Sequence, residues 1–371
     1  METTPKILIT PSKYVQGNGV IGDIGKFIAP LGNSVIVAGG ERGLRETQAG
    51  RKKSFDENGI SQIEFEFGGD STDSEIGRLA SFIIQNNCKV VMASGGGKVM
   101  DTVKAAAEDV GAASVIVPTV ASNDAPCSAL SVIYNEDGTF NRLRFLKRNP
   151  DLVIVDTSII SRAPVRFLVA GMGDALATWF EADACCRSGA KNFAGGAITA
   201  TATTLARLCY DTLIEFGAEA KRACAAKTVN TALERIIEVN TFLSGVGFES
   251  GGTAVAHALS EGFTLIPEAH KSMHGETVAF SLLAQLMLGG EMDNDADKVF
   301  DFCYRVGLPV TLSDIYVDKI DRAAVRSVAE AAAEPGRTTE NMPFKVTADM
   351  LVDAIYAADA IGSALKAMAA H

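Results

Sequence analysis

Over the first 160 residues the apolar positions come in short β-rich runs separated by stretches of longer period. The runs are 34–38 (SVIVA), 62–67 (QIEFEF), 89–93 (KVVMA), 113–117 (ASVIV) and 152–155 (LVIV). Between them, 43–58 and 73–87 repeat their apolar residues every three to four positions, the spacing of an amphipathic helix. Strands alternating with helices predict βαβ units and a mostly parallel sheet, and the unbroken Val and Ile of several runs predict helices on both of its faces. One hairpin interrupts the alternation: 128–134 and 139–146 flank Asn135-Glu-Asp-Gly138, whose Asp-Gly suits a tight turn.

After Pro164 the texture changes to long Ala-rich helical stretches: 166–186, 194–217, 218–244, 253–263, 277–288 and 348–370. The pattern therefore predicts an α/β N-terminal domain with a mostly parallel sheet, residues 1–160, and an all-α C-terminal domain, residues 161–371. No internal repeat or low-complexity linker is present. A chain of 371 residues suits two such domains, and 47% hydrophobic with 21% charged residues is an ordinary globular balance.

Charge and cysteine content narrow the function. A net charge of −11, with no Lys/Arg cluster, offers nothing to nucleic acid or an anionic membrane surface. No stretch approaches the roughly 20 apolar residues of a membrane-spanning helix. The start, METTPKILIT, does not read as a signal peptide, and seven Cys without a CxxC pair read as reduced thiols, so a cytoplasmic protein is expected. The adjacent Cys185 and Cys186 read as helix packing.

Several segments carry candidate chemistry. Ser94-Gly-Gly-Gly-Lys-Val-Met-Asp101 follows a predicted strand and leads into a helix expected over 102–110. Three glycines allow close backbone approach to a phosphate, and amides at a helix start favour an anion, with Lys98 as added charge. The P-loop pattern is absent. Gly17-Asn-Gly-Val-Ile-Gly22 matches G-x-G-x-x-G literally, but the polar 11–16 before it does not read as a central strand, so a surface loop leading into a helix near Asp23 is expected. Pro118 to Cys127 places hydroxyls and Asp124 after a strand, where open α/β sheets bind ligands. Asp174, near the start of an apolar helix, joins His257 and His274 as a candidate two-His, one-carboxylate metal site with an open position. Spacing alone leaves His270 and His274, at i and i+4, as a rival pair, although HExxH is absent. His371, at the terminus, is expected to play no part.

In these blocks the sequence resembles the glycerol dehydrogenase branch of the iron- or zinc-dependent polyol and alcohol dehydrogenases. The resemblance covers nearly the whole chain and rests on GGGKVMDTVKA at 95–105, PTVASNDAPCSALSVIY at 118–134, NPDLVIVDT at 149–157, GMGDALATWFEADAC at 171–185, SGVGFESGGTAVAHAL at 244–259 and AHKSMHGETVAF at 269–280. It implies a dehydroquinate-synthase-like fold and NAD-dependent oxidation of glycerol to dihydroxyacetone by zinc-assisted hydride transfer. The alternative is a related enzyme for another small vicinal diol or a 2-hydroxy acid. It further implies one zinc ion per subunit, on Asp174, His257 and His274. The cofactor would be contacted by Gly97, Lys98, Val99, Met100 and Asp101, by Thr119, Val120, Ala121 and Ser122, and by Ser128, Leu130 and Tyr134. Asp124 corresponds to the family's substrate-contacting carboxylate, and the family is homo-oligomeric, often octameric.

Two departures bear on specificity. Iron-dependent relatives typically add a His four residues after the Asp, where this chain has Thr178, which favours the zinc-type site. NAD-specific relatives carry an Asp at the end of the second strand; here the matching residue is Gly40, beside Glu41 and Arg42. NAD remains the expected cofactor, with NADP not excluded.

Overall fold

The computed structural model describes residues 4–289, 295–317 and 322–369; His371 lies outside them. The chain forms two compact units, one built from Ile9–Leu168 with Arg222–Gly245, the other from Met1–Leu8, Val169–Lys221 and Val246–His371.

The first unit begins with β1 (Tyr14–Gly17) and α1 (Ile24–Ile28). It continues with β2 (Ser34–Gly39), α2 (Glu41–Glu57), β3 (Ser61–Glu66), α3 (Asp73–Gln85), β4 (Val90–Gly95), α4 (Gly97–Val110) and β5 (Ala113–Pro118). The hairpin β6 (Leu130–Tyr134) and β7 (Phe140–Phe145) follows, then β8 (Leu152–Asp156) and α5 (Thr157–Ser161). Six strands pair in the order β1-β8-β5-β4-β2-β3, every pair parallel, and the hairpin forms a separate antiparallel sheet. The central strands β4 and β8 are buried along their whole length, while the edge strand β3 buries only Phe65 and leaves Ile63, Glu64 and Glu66 exposed. That contrast follows from position, since a strand between neighbours and under helices must be apolar on both faces. One face packs Val35, Val37, Val90, Met92, Val115, Val117 and Ile154 against Ile24, Ile28 and Phe55 from α1 and α2.

Two local expectations change. Residues 14–17, in a stretch too polar for a central strand, do form a strand, but at the sheet edge, where only one neighbour covers it. Helix α4 starts at Gly97 rather than at residue 102, so Gly97 to Asp101 are its first turn and only Gly96 separates it from β4.

The literal G-x-G-x-x-G segment has its amides taken internally. Gly19 and Ile21 donate to the two carboxylate oxygens of Asp156, at 3.1 and 2.9 Å, and the same side chain accepts from the Ser158 and Ile159 amides at the start of α5. Asp156 is fully buried, so it closes one turn and caps another helix in a single place.

The later helices are α6 (Val165–Ser188), α7 (Ala200–Ala225), α8 (Thr231–Glu238), a π-helical turn (Val239–Leu243), α9 (Ser244–Gly251), α10 (Val255–Phe263) and α11 (His274–Leu286). They end with α12 (Ala296–Val306), α13 (Arg322–Ala332) and α14 (Ala348–Ala369). Helix α7 runs through Gly217, joining parts of the two stretches, 194–217 and 218–244, that the sequence pattern separates. A Cβ there would lie 2.6 Å from the Phe302 ring, so the glycine serves packing, not helix termination. Aromatic pairs Phe263–Phe280 and Phe180–Tyr210, with centroids 6.0 and 5.3 Å apart, knit the helical unit. No helix among the described residues is long and apolar enough to cross a membrane.

Replacing Asp156 with Ala should lower the unfolding free energy by about 2–4 kcal/mol, because the buried Ile21 amide loses its partner and α5 its cap. Asp156→Asn, which keeps one acceptor oxygen, should recover part of this; urea denaturation of the three proteins measures it.

Candidate active site

Helix α6 carries Asp174, Thr178 and Glu181 at i, i+4 and i+7, a spacing that sets all three on one face. All three are buried. Neighbouring helices reach that face through glycines. A Cβ on Gly247 would stand 2.6 Å from the Thr178 methyl group, and one on Gly251 would stand 2.7 Å from the Ala182 Cβ. The start of α11 comes closer still: a Cβ on Gly275 would collide with the Ala170 carbonyl, and one on Gly173 with the Gly275 carbonyl. The residues flanking this backbone contact are Asp174 and His274, so the missing side chains are what let these two approach.

His257 comes from α10 and His274 is the first residue of α11. Both Nε2 atoms face Asp174 Oδ1, at 3.5 and 3.3 Å, and the three donor atoms lie within 4.8 Å of one another. A tetrahedral zinc site with bonds of about 2.0–2.1 Å has ligand–ligand edges of about 3.3–3.4 Å. The two measured edges match it, and two imidazoles with one carboxylate are a donor set that zinc and iron both accept. Asp174 is 1% exposed at its side chain, His257 15% and His274 50%, so the cluster is walled on the Asp174 side and open on the His274 side. Burial pushes the Asp174 carboxyl up, but the facing His274 and His257 outweigh it and hold it well below the usual carboxylate range. Burial works against a charged His257, yet Glu181 and Asp174 together raise it well above an ordinary imidazole. The rival His270 is turned away: its Nε2 meets the Thr264 carbonyl at 2.7 Å.

Glu181 was not singled out by the sequence reading. Its Oε1 accepts from the Ala254 and His257 amides at 2.7 and 3.0 Å, and its Oε2 meets His257 Nδ1 at 2.5 Å. The available signal was its place two helical turns after Asp174.

In the α/β unit, a cleft of about 540 Å³ opens at the C-terminal ends of β2, β4 and β5. Gly97, Lys98, Val99, Thr119, Val120 and Ser122 line it, together with Gly40, Glu41, Arg42 and Arg162. The first turn of α4 faces it, with the unbonded amides of a helix start. Met100 and Ala121 lie in the core behind this lining. Asp101, Ser128 and Leu130 meet at Lys104: its Nζ lies 2.9 Å from Asp101 Oδ1 and donates to Ser128 Oγ at 3.2 Å and to the Leu130 carbonyl at 2.5 Å. Asp101 also accepts from the Val132 amide at 3.0 Å, which ties the hairpin to α4. Lys98 pairs with Asp70 and stands 5.0 Å over the Tyr134 ring, whose hydroxyl burial pushes up to about 12, aided by Asp101 and Asp70. Asp124 accepts from Ser244 Oγ at 3.2 Å, and Asn240, in the π-helical turn, donates to the Ala121 carbonyl at 3.0 Å, so the middle of the 119–127 loop is held at two points.

A parallel sheet with a glycine-opened cleft, and an Asp-His-His cluster among helices that could hold a metal ion, fit the metal-containing alcohol dehydrogenase class. The profile of the iron-containing alcohol dehydrogenase family matches residues 11–157. The chain is 47% identical over 357 residues to glycerol dehydrogenase of Escherichia coli O6:H1, an alignment covering 96% of this chain and 97% of that protein. It is 42% identical to glycolaldehyde reductase of Halobacterium salinarum, over 96% of this chain and 98% of that one. The crystal structure of glycerol dehydrogenase from Schizosaccharomyces pombe superposes with a TM-score of 0.94 at 34% identity, covering 100% of this chain and 94% of that one. The chain belongs to the glycerol dehydrogenase family of the iron-containing alcohol dehydrogenases.

Gly275→Ala tests the close approach that brings Asp174 and His274 together. The added methyl must displace backbone, so unfolding should become easier by about 1–3 kcal/mol. Metal content of the folded fraction, by atomic absorption, should fall with it.

Proposed function

We propose that this protein is an NAD-dependent glycerol dehydrogenase that converts glycerol and NAD⁺ to dihydroxyacetone, NADH and a proton, with zinc on Asp174, His257 and His274. The observation that carries the reading is the convergence of those three donor atoms, with the Nε2 atoms of His257 and His274 at 3.5 and 3.3 Å from Asp174 Oδ1. A divalent ion there supplies Lewis acidity, which lowers the pKa of an alcohol hydroxyl and stabilises the developing alkoxide. A nicotinamide cofactor, held by the first turn of α4 with Thr119 and Ser122, would supply the hydride acceptor for the carbinol carbon.

The chain's own residues have separate tasks. Asp174 contributes one negative charge and the two histidines none when neutral, so a dication held by them keeps net positive charge for the oxyanion. An ion held by only these three side chains would have positions that the protein does not fill, which a vicinal diol could take. Asp124 accepts hydrogen bonds from substrate hydroxyls. The amides at the start of α4 take the cofactor pyrophosphate, and Thr119 and Ser122 offer hydroxyl donors to the dinucleotide. The same family reading extends to a cytoplasmic homo-oligomer, an octamer by analogy.

A panel of glycerol, propane-1,2-diol, butane-2,3-diol, glycolaldehyde and 2-hydroxy acids, assayed with NAD and NADP by nicotinamide absorbance, tests the proposal. Glycerol with NAD should give the highest kcat/KM among the oxidations; preference for a 2-hydroxy acid would overturn it. His274→Ala and Asp174→Asn should stay folded and lose most of their metal and turnover.

Cofactor choice has its own determinant. Gly40 caps α2 where a carboxylate would accept from the ribose 2′-OH and repel a 2′-phosphate. A Cβ there meets nothing within 4 Å, and the neighbouring Glu41 reaches along its helix to Arg45, at 3.5 Å. Arg42 and Arg162 share the lining. NAD is the preferred cofactor, with weaker discrimination against NADP than a carboxylate at this place would give. Gly40→Asp should therefore lower kcat/KM for NADP at least tenfold while sparing NAD; an unchanged ratio would place the discrimination elsewhere.

A further inference from the structure

Glu181 is a fully buried carboxylate, and among the described residues no Lys or Arg pairs with it. A buried charge of this kind persists only when its lone pairs are all engaged. Two of its partners are backbone: the Ala254 amide, at the N-cap of α10, and the His257 amide one turn into that helix. The carboxylate thus does for α10 what a capping side chain within the helix would do, and it adds negative charge at the positive end of the helix dipole. Capping uses Oε1 alone. The other oxygen, Oε2, is spent on the imidazole Nδ1 of His257, on the far side of the ring from Asp174.

We infer that Glu181 is a positioning residue, holding the His257 ring with Nδ1 protonated so that the Nε2 lone pair is aimed at the Asp174–His274 cluster. A carboxylate only accepts, so the ring nitrogen facing it carries the hydrogen and the opposite nitrogen carries the lone pair. The same carboxylate anchors the first turn of the helix bearing that ring, so backbone and imidazole are located from one point on α6. Gln285 completes the clamp by accepting from the Ala256 amide at 2.9 Å. The inference rests on the reading that Asp174, His257 and His274 hold a metal.

Glu181→Gln separates the two functions of the side chain. The amide oxygen can keep the two backbone donors, but its NH₂ then faces Nδ1 and asks that nitrogen to accept, which moves the ring proton to Nε2. Turning the amide over restores the ring contact and sets NH₂ against two backbone N–H groups. Neither orientation satisfies both sets. Glu181→Asp keeps the charge but draws it back by one methylene, so it reaches the amides or the ring and not both.

The test is zinc affinity of the metal-stripped full-length protein, by competition with a chromophoric chelator, together with the thermal midpoint and helical circular dichroism of the same metal-free samples. Glu181→Gln should bind zinc about tenfold to a hundredfold more weakly than wild type, with Glu181→Asp in between and helix content unchanged. Affinity in Glu181→Gln within twofold of wild type would overturn the inference. So would a weakened affinity accompanied by loss of helix, which would make Glu181 a cap only, or wild-type affinity in Glu181→Asp, which would make its charge and not its placement the cause. Should Glu181→Gln fail to fold, Glu181→Asp decides. Asp174→Asn and His274→Ala run beside them: if these also bind zinc normally, the metal-site reading has failed, whereas if they alone lose zinc, only the role of Glu181 has.

Discussion

The helical unit depends on burying two carboxylates on one face of α6. Asp174 and Glu181 sit two turns apart and almost without solvent, and a charge so placed demands partners at short range. Those partners are the imidazoles of His257 and His274 and the first amides of α10. To reach them, the segments carrying the histidines must press against α6 more closely than ordinary side chains permit. Gly247, Gly251 and Gly275 supply that closeness from two directions. Packing and chemistry are therefore one arrangement here: small residues create the approach, and the electrostatics of two buried acids make it favourable.

In the α/β unit, two glycine-bearing turns follow parallel strands and meet opposite fates. After β1, the amides of Gly19 and Ile21 are consumed by the buried Asp156. After β4, no carboxylate among the described residues reaches the first turn of α4, and its amides face a cleft. A helix start whose donors are already bonded has nothing to offer a phosphate, whereas one left open at the C-terminal edge of a sheet does. Of these two turns only the second keeps its amides turned to a cleft, and what distinguishes it from its near-twin is a side chain more than a hundred residues away.

The segment from α4 to the hairpin shows a second division of labour. Lys104 collects Asp101, Ser128 and the Leu130 carbonyl into a buried knot behind the cleft. Lys98, six residues earlier on the same helix, stays at the lining with Asp70 and the Tyr134 ring. Residues of one contiguous motif therefore split between lining a cleft and bracing the wall behind it, because successive positions on a helix point in different directions.

Much was legible along the chain. Five of the six strands of the parallel sheet, the hairpin, the change to helices near residue 164 and the Asp174–His257–His274 trio could be read from apolar period, turn residues and motif, because each is a local pattern or a block specific to the family. The edge strand β1 escaped because an edge position tolerates polar residues, and the division of 194–217 from 218–244 did not hold because a glycine in a helix can answer to a neighbour's ring as well as to its own backbone. Only the tertiary structure excluded His270, whose spacing from His274 was as good as any, by turning it to the Thr264 carbonyl. Only the tertiary structure disclosed Glu181, since its partners lie more than 70 residues further along the chain. Hydrophobic period and local motifs are written into neighbouring residues, but which buried acid meets which ring is decided by how closely helices far apart in sequence can approach.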